Sequence, residues 1–298
     1  MQWNILEISN NGLYLKLFRG FAVIMQDKQE LGRVTLDELN SVIISADQAT
    51  LSKSVIVRLA ELGIPIILCG DNYLPISLTL PLTNHHLSQD VLSMQIAASV
   101  PFKKRLWQRI VKLKINNQRS ILEKQHPDKQ TKLLQLKRLS QITKSGDPEN
   151  TEAQAARLYW SELMGGDFRR LSNGGDDING ALNYGYAVVR AACARAVVAA
   201  GLNPSLGLHH KNKRNAFCLV DDLMEIYRPL IDHRVVNMSL NGSLTAQNKA
   251  LLIAVLKSDI MVDDKVSTVN TSMQRLAVSL VECFRINKPI LRLPKIVE

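Results

Sequence analysis

Apolar positions change their spacing partway along this chain. Near the start they alternate: Leu13, Leu15 and Leu17 are separated by Tyr14, Lys16 and Phe18, Gly20 interrupts, and Phe21-Ala22-Val23-Ile24-Met25 follows as a second apolar run. A period of two over five or six residues predicts strands, and Val42-Ile43-Ile44 predicts another. One helix interrupts this stretch, because Leu51, Val55, Leu59 and Leu62 share a face, with Thr50 as a candidate cap and Gly63 and Pro65 as the stop. Residues 64–68 and 74–80 then return to the strand pattern.

Beyond Pro81 the period becomes helical. Leu106, Ile110 and Leu113 give an apolar stripe to a helix over 103–124. His126-Pro127-Asp128 breaks it, and a second helix is predicted over 129–143. Ser145-Gly146-Asp147-Pro148 breaks the chain again before an alanine-rich helical segment from Thr151. A small-residue run over 187–200 ends at Gly201, and apolar helical segments cover 246–256 and 271–284 before a basic, proline-containing tail at 285–298. The reading is α+β: a small N-terminal β-rich domain over 1–84, a linker over 85–100, and a larger all-α C-terminal domain over 101–298. Pro81 to Leu87 carries the period change, and its His85 and His86 are read as solvated linker residues.

With 298 residues, 46% hydrophobic and 21% charged, the chain is long enough for two cores. It has no apolar run of the roughly eighteen residues that a spanning helix needs, and no basic-then-apolar targeting segment at its start, so a cytoplasmic protein without membrane contact is expected. Cys69, Cys193, Cys218 and Cys283 lie far apart, which signals neither a zinc site nor a disulfide framework. Charge changes the picture more. Between Lys103 and Lys144 the only acids are Glu123 and Asp128, so this one segment carries the whole of the net +10. So one-sided a run points to a polyanion partner, with Lys103, Lys104, Arg105 and Arg109 as contact candidates.

The chemistry-bearing residues cluster late. Gly207-Leu208-His209-His210 is followed by Asp221-Asp222-Leu223-Met224-Glu225 and then Arg228-Pro229. Imidazole and carboxylates near a chain-breaking loop are what a divalent-metal site for phosphodiester chemistry requires. Asp222 and Glu225 are spaced i and i+3, and Asp221 and Glu225 i and i+4, so a helix places either pair on one face. Asp221 reads equally well as a helix cap. A further carboxylate is expected upstream, either Glu152 or Glu162. Lys211, Lys213 and Arg214 put positive charge beside the histidines and read as a phosphate-gripping loop, while Arg190 and Asn183 either face the polyanion, support the metal-bearing helix or close a buried hydrogen-bond network.

Three blocks together resemble the universal CRISPR-associated spacer integrase, in its type II form. These are the Glu152 helix, the run Asp177 to Tyr186 containing Ala181-Leu182-Asn183-Tyr184-Gly185-Tyr186, and the His209-His210 doublet followed by the Asp-Leu-x-Glu ending in Arg228-Pro229. The resemblance implies metal ligands at Glu152, His210 and Glu225, with His210 favoured over His209 because the ligand histidine follows the glycine, here Gly207, by three residues. Ala153 stands where many relatives have Gly, and Glu225 where many have Asp. It leaves His209, Asp221 and Asp222 as auxiliary residues and Mg²⁺ or Mn²⁺ as the cofactor.

The implied activity is DNA transesterification, in which the 3′-hydroxyl of a spacer precursor attacks a phosphodiester of a CRISPR repeat. Double-stranded DNA, a second copy of the chain dimerised through the β-rich domain, a small second CRISPR-associated subunit and the type II effector nuclease are the implied partners. If the histidine segment is extended, His209 and His210 point to opposite sides. A metal-dependent endonuclease and a non-catalytic DNA-binding scaffold are the rival readings.

Overall fold

The structure, a computed structural model, describes residues 4–70, 75–79, 88–172, 177–240, 242 and 244–296. Residues 81–87, with His85 and His86, lie outside the described residues. The chain divides into two compact units, Met1–Ser88 and Gln89–Glu298.

The first unit contains β1 (Asn4–Ile8), β2 (Leu13–Phe18), β3 (Phe21–Gln26), β4 (Gln29–Thr35), β5 (Leu39–Ile44), β6 (Ala49–Leu51), α1 (Lys53–Glu61), β7 (Ile66–Cys69) and β8 (Pro75–Thr79). Its two four-stranded sheets run β4-β3-β2-β6 and β1-β5-β7-β8. The β2–β3 hairpin turns at Arg19 and Gly20, both at positive φ, and β3–β4 turns at Asp27 and Lys28, also positive. Such turns match the strand twist. Leu15 and Ala22 from one sheet, Val42 and Ile66 from the other, and Val55 and Leu59 of α1 bury together as one core. The cap of α1 is Ser52, whose hydroxyl accepts from Val55 N; the expected cap, Thr50, is instead part of β6, paired with Tyr14.

The second unit contains α2 (Ser88–Ala97), α3 (Val100–Gln125), α4 (Gln130–Ile142), α5 (Thr151–Met164), α6 (Asp177–Ala199), α7 (Cys218–Met224), α8 (Arg228–Val236), α9 (Ala246–Ala254), β9 (Asp259–Val262), β10 (Lys265–Thr268) and α10 (Val269–Ile286). Helix α2 occupies most of the stretch that the sequence assigns to a linker. Among the described residues the regular elements of this unit are helical apart from the β9–β10 hairpin, turned at Asp263 and Asp264, both at positive φ. Helix α3 runs through it with Trp107, Ile110 and Ile115 buried. It packs against α4, α5 and α8. Helices α6 and α8 approach closely at Gly185, where an added Cβ would stand 2.5 Å from Ile231 Cγ2.

Candidate functional site

Glu225 does not extend α7. It opens a 3₁₀ turn, Glu225–Tyr227, that joins α7 to α8, where Pro229 lies in the first turn and has no N–H to continue the ladder backwards. This turn aims the Glu225 side chain inward, only 5% exposed, toward α3. Glu152 reaches the same point from the first turn of α5, whose start is held by Asp147. That carboxylate accepts hydrogen bonds from Thr151 N at 2.8 Å, Thr151 Oγ1 at 2.5 Å and Glu152 N at 2.9 Å.

Between the two glutamates stands a residue that the sequence reading missed. Lys114 Nζ lies 2.5 Å from Glu152 Oε1 and 2.5 Å from Glu225 Oε2. Burial pulls the Lys114 ammonium toward the neutral form, but Glu225 and then Glu152 outweigh it and raise its pKa. Burial likewise pushes the Glu225 carboxyl up, and Arg228 and then Lys114 hold it below the ordinary range. Arg228 Nη2 is 2.9 Å from Glu225 Oε1, and its guanidinium lies over the Tyr186 ring. The signal for Lys114 was present: it continues the buried stripe of α3 at i+4 from Ile110, where a lysine has no reason to sit unless an anion meets it.

The histidines stand beside this cluster. Fully buried Asp222 gathers three successive backbone amides, accepting from Leu208 N at 2.6 Å, His209 N at 3.0 Å and His210 N at 3.2 Å, and its Oδ1 is 2.6 Å from His210 Nδ1. The segment is a tight turn rather than an extended strand. Gly207 permits it, because a Cβ there would meet His210 O at 2.4 Å and Asp222 Oδ2 at 2.9 Å. Asp222's hydrogen bond, more than any other influence, raises the His210 pKa, and His210 and Glu225 lie near enough for each charge to act on the other. With Nδ1 engaged, Nε2 is the nitrogen left for a ligand.

His209 takes a different position. Its ring stacks on Trp107, centroids 4.5 Å apart at an interplanar angle of 4°, while His210 meets Trp107 edge-on at 5.8 Å and 81°.

Other candidates are elsewhere. Glu162 pairs with Lys129 and Lys132 at the far end of α5. Asp221 is not a cap, since Phe217 precedes α7. Its carboxylate binds Arg190 Nε at 2.6 Å and accepts from Asn215 Nδ2 at 2.6 Å. Arg190 is thus engaged within the fold, and Asn183 accepts from Arg170 Nη2 at 2.5 Å. Lys103 and Lys211 lie close to one another: partial burial and then the Lys211 charge lower the Lys103 pKa. The Lys104 stem lies against Gly146, and Arg105 stands over the Phe102 ring. Arg109 lines a cavity of about 560 Å³ with Lys112, Asn116 and Lys295. Successive helix positions 100° apart place that cavity on the side of α3 away from Lys114. Lys211, Lys213 and Arg214 are exposed.

Among the described residues, no three of His, Cys, Asp and Glu are grouped closely enough to hold a metal ion as they stand, because an ammonium separates the carboxylates. The donor set nevertheless suits a hard cation. Two carboxylates from distant segments face one positive centre, and Glu225 Oε2, buried, accepts no aligned hydrogen bond there despite its closeness to Lys114. The Cys193 thiol, buried and held far above the ordinary thiol range by that burial, offers no alternative ligand.

The family described as CRISPR associated protein Cas1 matches residues 6–252. A CRISPR-associated endonuclease Cas1 from Neisseria meningitidis serogroup C (strain 8013) is 38% identical over 247 residues, covering 83% of this chain and 79% of that one. This chain belongs to the Cas1 family. Its fold is shared by a casposase bound to integration product, with a TM-score of 0.80 and 19% identity over 98% of this chain and 93% of that one. It is shared also by part of a Cas6-RT-Cas1–Cas2 complex, with a TM-score of 0.79 and 18% identity over 100% of this chain and 36% of that one. Among the described residues no helix is long and apolar enough to cross a membrane.

Proposed function

We propose that this chain is a CRISPR adaptation integrase whose reaction centre is formed by Glu152, His210 and Glu225. The observation that carries the reading is the convergence of two carboxylates, from α5 and from the turn after α7, on one cation beside an imidazole held by Asp222. When Mg²⁺ or Mn²⁺ is bound by these three residues, it supplies Lewis-acid polarisation of the scissile phosphate and stabilises charge on the leaving oxygen.

The rest of the work falls to the chain itself. Asp222 fixes the ring of His210, Arg228 holds Glu225 ionised, and Lys103 and Lys211 offer paired positive charge to a DNA phosphate. In the reaction a spacer 3′-hydroxyl oxygen forms a bond to phosphorus at the repeat edge as the bond from phosphorus to the displaced strand's 3′ oxygen breaks. One phosphodiester replaces another, and no covalent enzyme intermediate is needed. A dimer through the first unit, a small Cas2-type subunit bridging two dimers, the type II effector as a further partner and a cytoplasmic location belong to the same reading. The Cas2 element draws support from the fold shared with the Cas1–Cas2 assembly.

The test is strand transfer of a short duplex into a repeat-containing plasmid with Mn²⁺. Wild-type protein is expected to give joined products, whereas Glu152→Ala, His210→Ala and Glu225→Ala each give none while DNA binding is largely kept. Nicks without joined products would replace the integrase by an endonuclease. Neither product, with DNA still bound, would leave a scaffold.

A further inference from the structure

The His209 ring has one covered face and one open face. Trp107, 1% exposed and fixed in the stripe of α3, covers the first in a nearly parallel stack. His209 is nonetheless exposed, so its accessible surface is the opposite face and the rim. The ring is also held from its backbone, because His209 N donates to buried Asp222. A planar surface so anchored, lying 5.5 Å from the His210 ring, is more than a loop needs in order to stay in place.

Its surroundings point to the ligand. Lys103 lies one turn before Trp107 on the same face of α3, and Lys114 lies seven residues beyond it. Along the helix axis these steps are about 6 Å and about 10 Å. Lys103 and Lys211 repel one another, and neither has an acidic partner among the described residues. The order along this face is therefore paired cations, an aromatic plane, then the carboxylates. A nucleotide offers a phosphate to the paired cations and a base to the aromatic plane, and its next phosphodiester then falls at the proposed reaction centre. A protein side chain in the same place would satisfy the plane but not the paired cations.

We propose that His209, backed by Trp107, is a base-stacking site that receives the nucleobase of the nucleotide next to the reacting phosphodiester. The proposal rests on reading the neighbouring centre as one that acts on phosphodiesters. Stacking of this kind accepts any base, since every base has a π face, and its removal is expected to weaken strand binding roughly 5- to 150-fold.

The experiment uses single-stranded oligonucleotides with 2-aminopurine placed at each of the last few nucleotides in turn, titrated with the full chain in the absence of divalent metal. Quenching is expected at one position. It should persist in His209→Phe and vanish in His209→Ala, with the loss of affinity given above. An abasic nucleotide at that position should weaken wild-type binding by the same factor and should not weaken His209→Ala further. Independent, multiplying losses from the two changes would overturn the proposal and leave His209 as a pin for its loop. So would quenching at no position, or equal binding by wild type and His209→Ala. Strand transfer is scored separately: quenching without joined products refutes the integrase reading alone, and joined products without quenching refute the stack alone.

Discussion

Asp222 is fully buried, and four donors surround its carboxylate. Such charge-assisted bonds are the strong ones, and losing them strands backbone amides away from water. Asp222→Asn keeps the shape and one acceptor but removes the charge. In the metal-free protein the His210 titration followed by NMR is expected to move down from its raised position, and unfolding by denaturant should show a loss of about 1–3 kcal/mol. The sign follows from the direction of the shift. A histidine whose folded pKa is raised contributes stability that is present below its unfolded pKa and lost as pH rises through the folded one. Asp222→Asn should therefore lose more stability, relative to wild type, on the acid side of that interval than on the alkaline side. An unmoved His210 midpoint would show that the bond does not govern the ring. Sequence spacing made Asp222 an auxiliary candidate, but its clasp on three amides depends on Gly207 and a tight turn that no spacing rule displays.

At the scale of elements, α5 matters because it delivers Glu152, and its start depends on Asp147 rather than on Asn150, which sits at φ 54 and makes no side-chain cap. Asp147→Ala is expected to cost about 0.5–2 kcal/mol in thermal or denaturant unfolding. It should also reduce strand transfer although Asp147 touches no proposed ligand side chain; full stability together with full activity would remove it from the argument. Helices with a clear 3.6 period, α3 and α4 above all, were legible, as was the stop of α6 at Gly201, which has φ 78. Besides β1, four strands escaped because their signals are weak. β4 is an edge strand with mostly exposed or half-exposed positions, β6 has three residues, and the β9–β10 hairpin is announced only by Asp263-Asp264 between short segments. Lys114 escaped because a charge inside a basic run reads as one more solvated residue, whereas the apolar stripe of α3 carries it inward. Glu152, His210 and Glu225 were reached through resemblance to a family, since spacing alone left Glu162 and His209 open.

For the molecule as a whole, the charges buried at the centre must balance, and Lys114 with Arg228 supplies the positive side against Glu152 and Glu225. Lys114 is 10% exposed at the side chain and Glu225 5%, so water compensates little for a missing partner. Lys114→Met removes the ammonium while keeping an unbranched stem of similar length. Breaking a buried pair leaves an uncompensated charge, and the variant should unfold about 3–5 kcal/mol more easily than wild type without divalent metal. Added Mn²⁺ acts in the opposite direction. A cation that binds only the folded chain stabilises it by about 2.7 kcal/mol at a hundredfold excess over its dissociation constant. In wild type the same ion competes with the Lys114 ammonium for the two carboxylates, so part of its binding energy goes to moving the lysine. Denaturant unfolding with and without Mn²⁺ should therefore show a larger metal-induced gain in Lys114→Met than in wild type. If the two proteins gained equally, Lys114 and the metal would not share the carboxylates, and the cluster would have to be read as a structural ion pair.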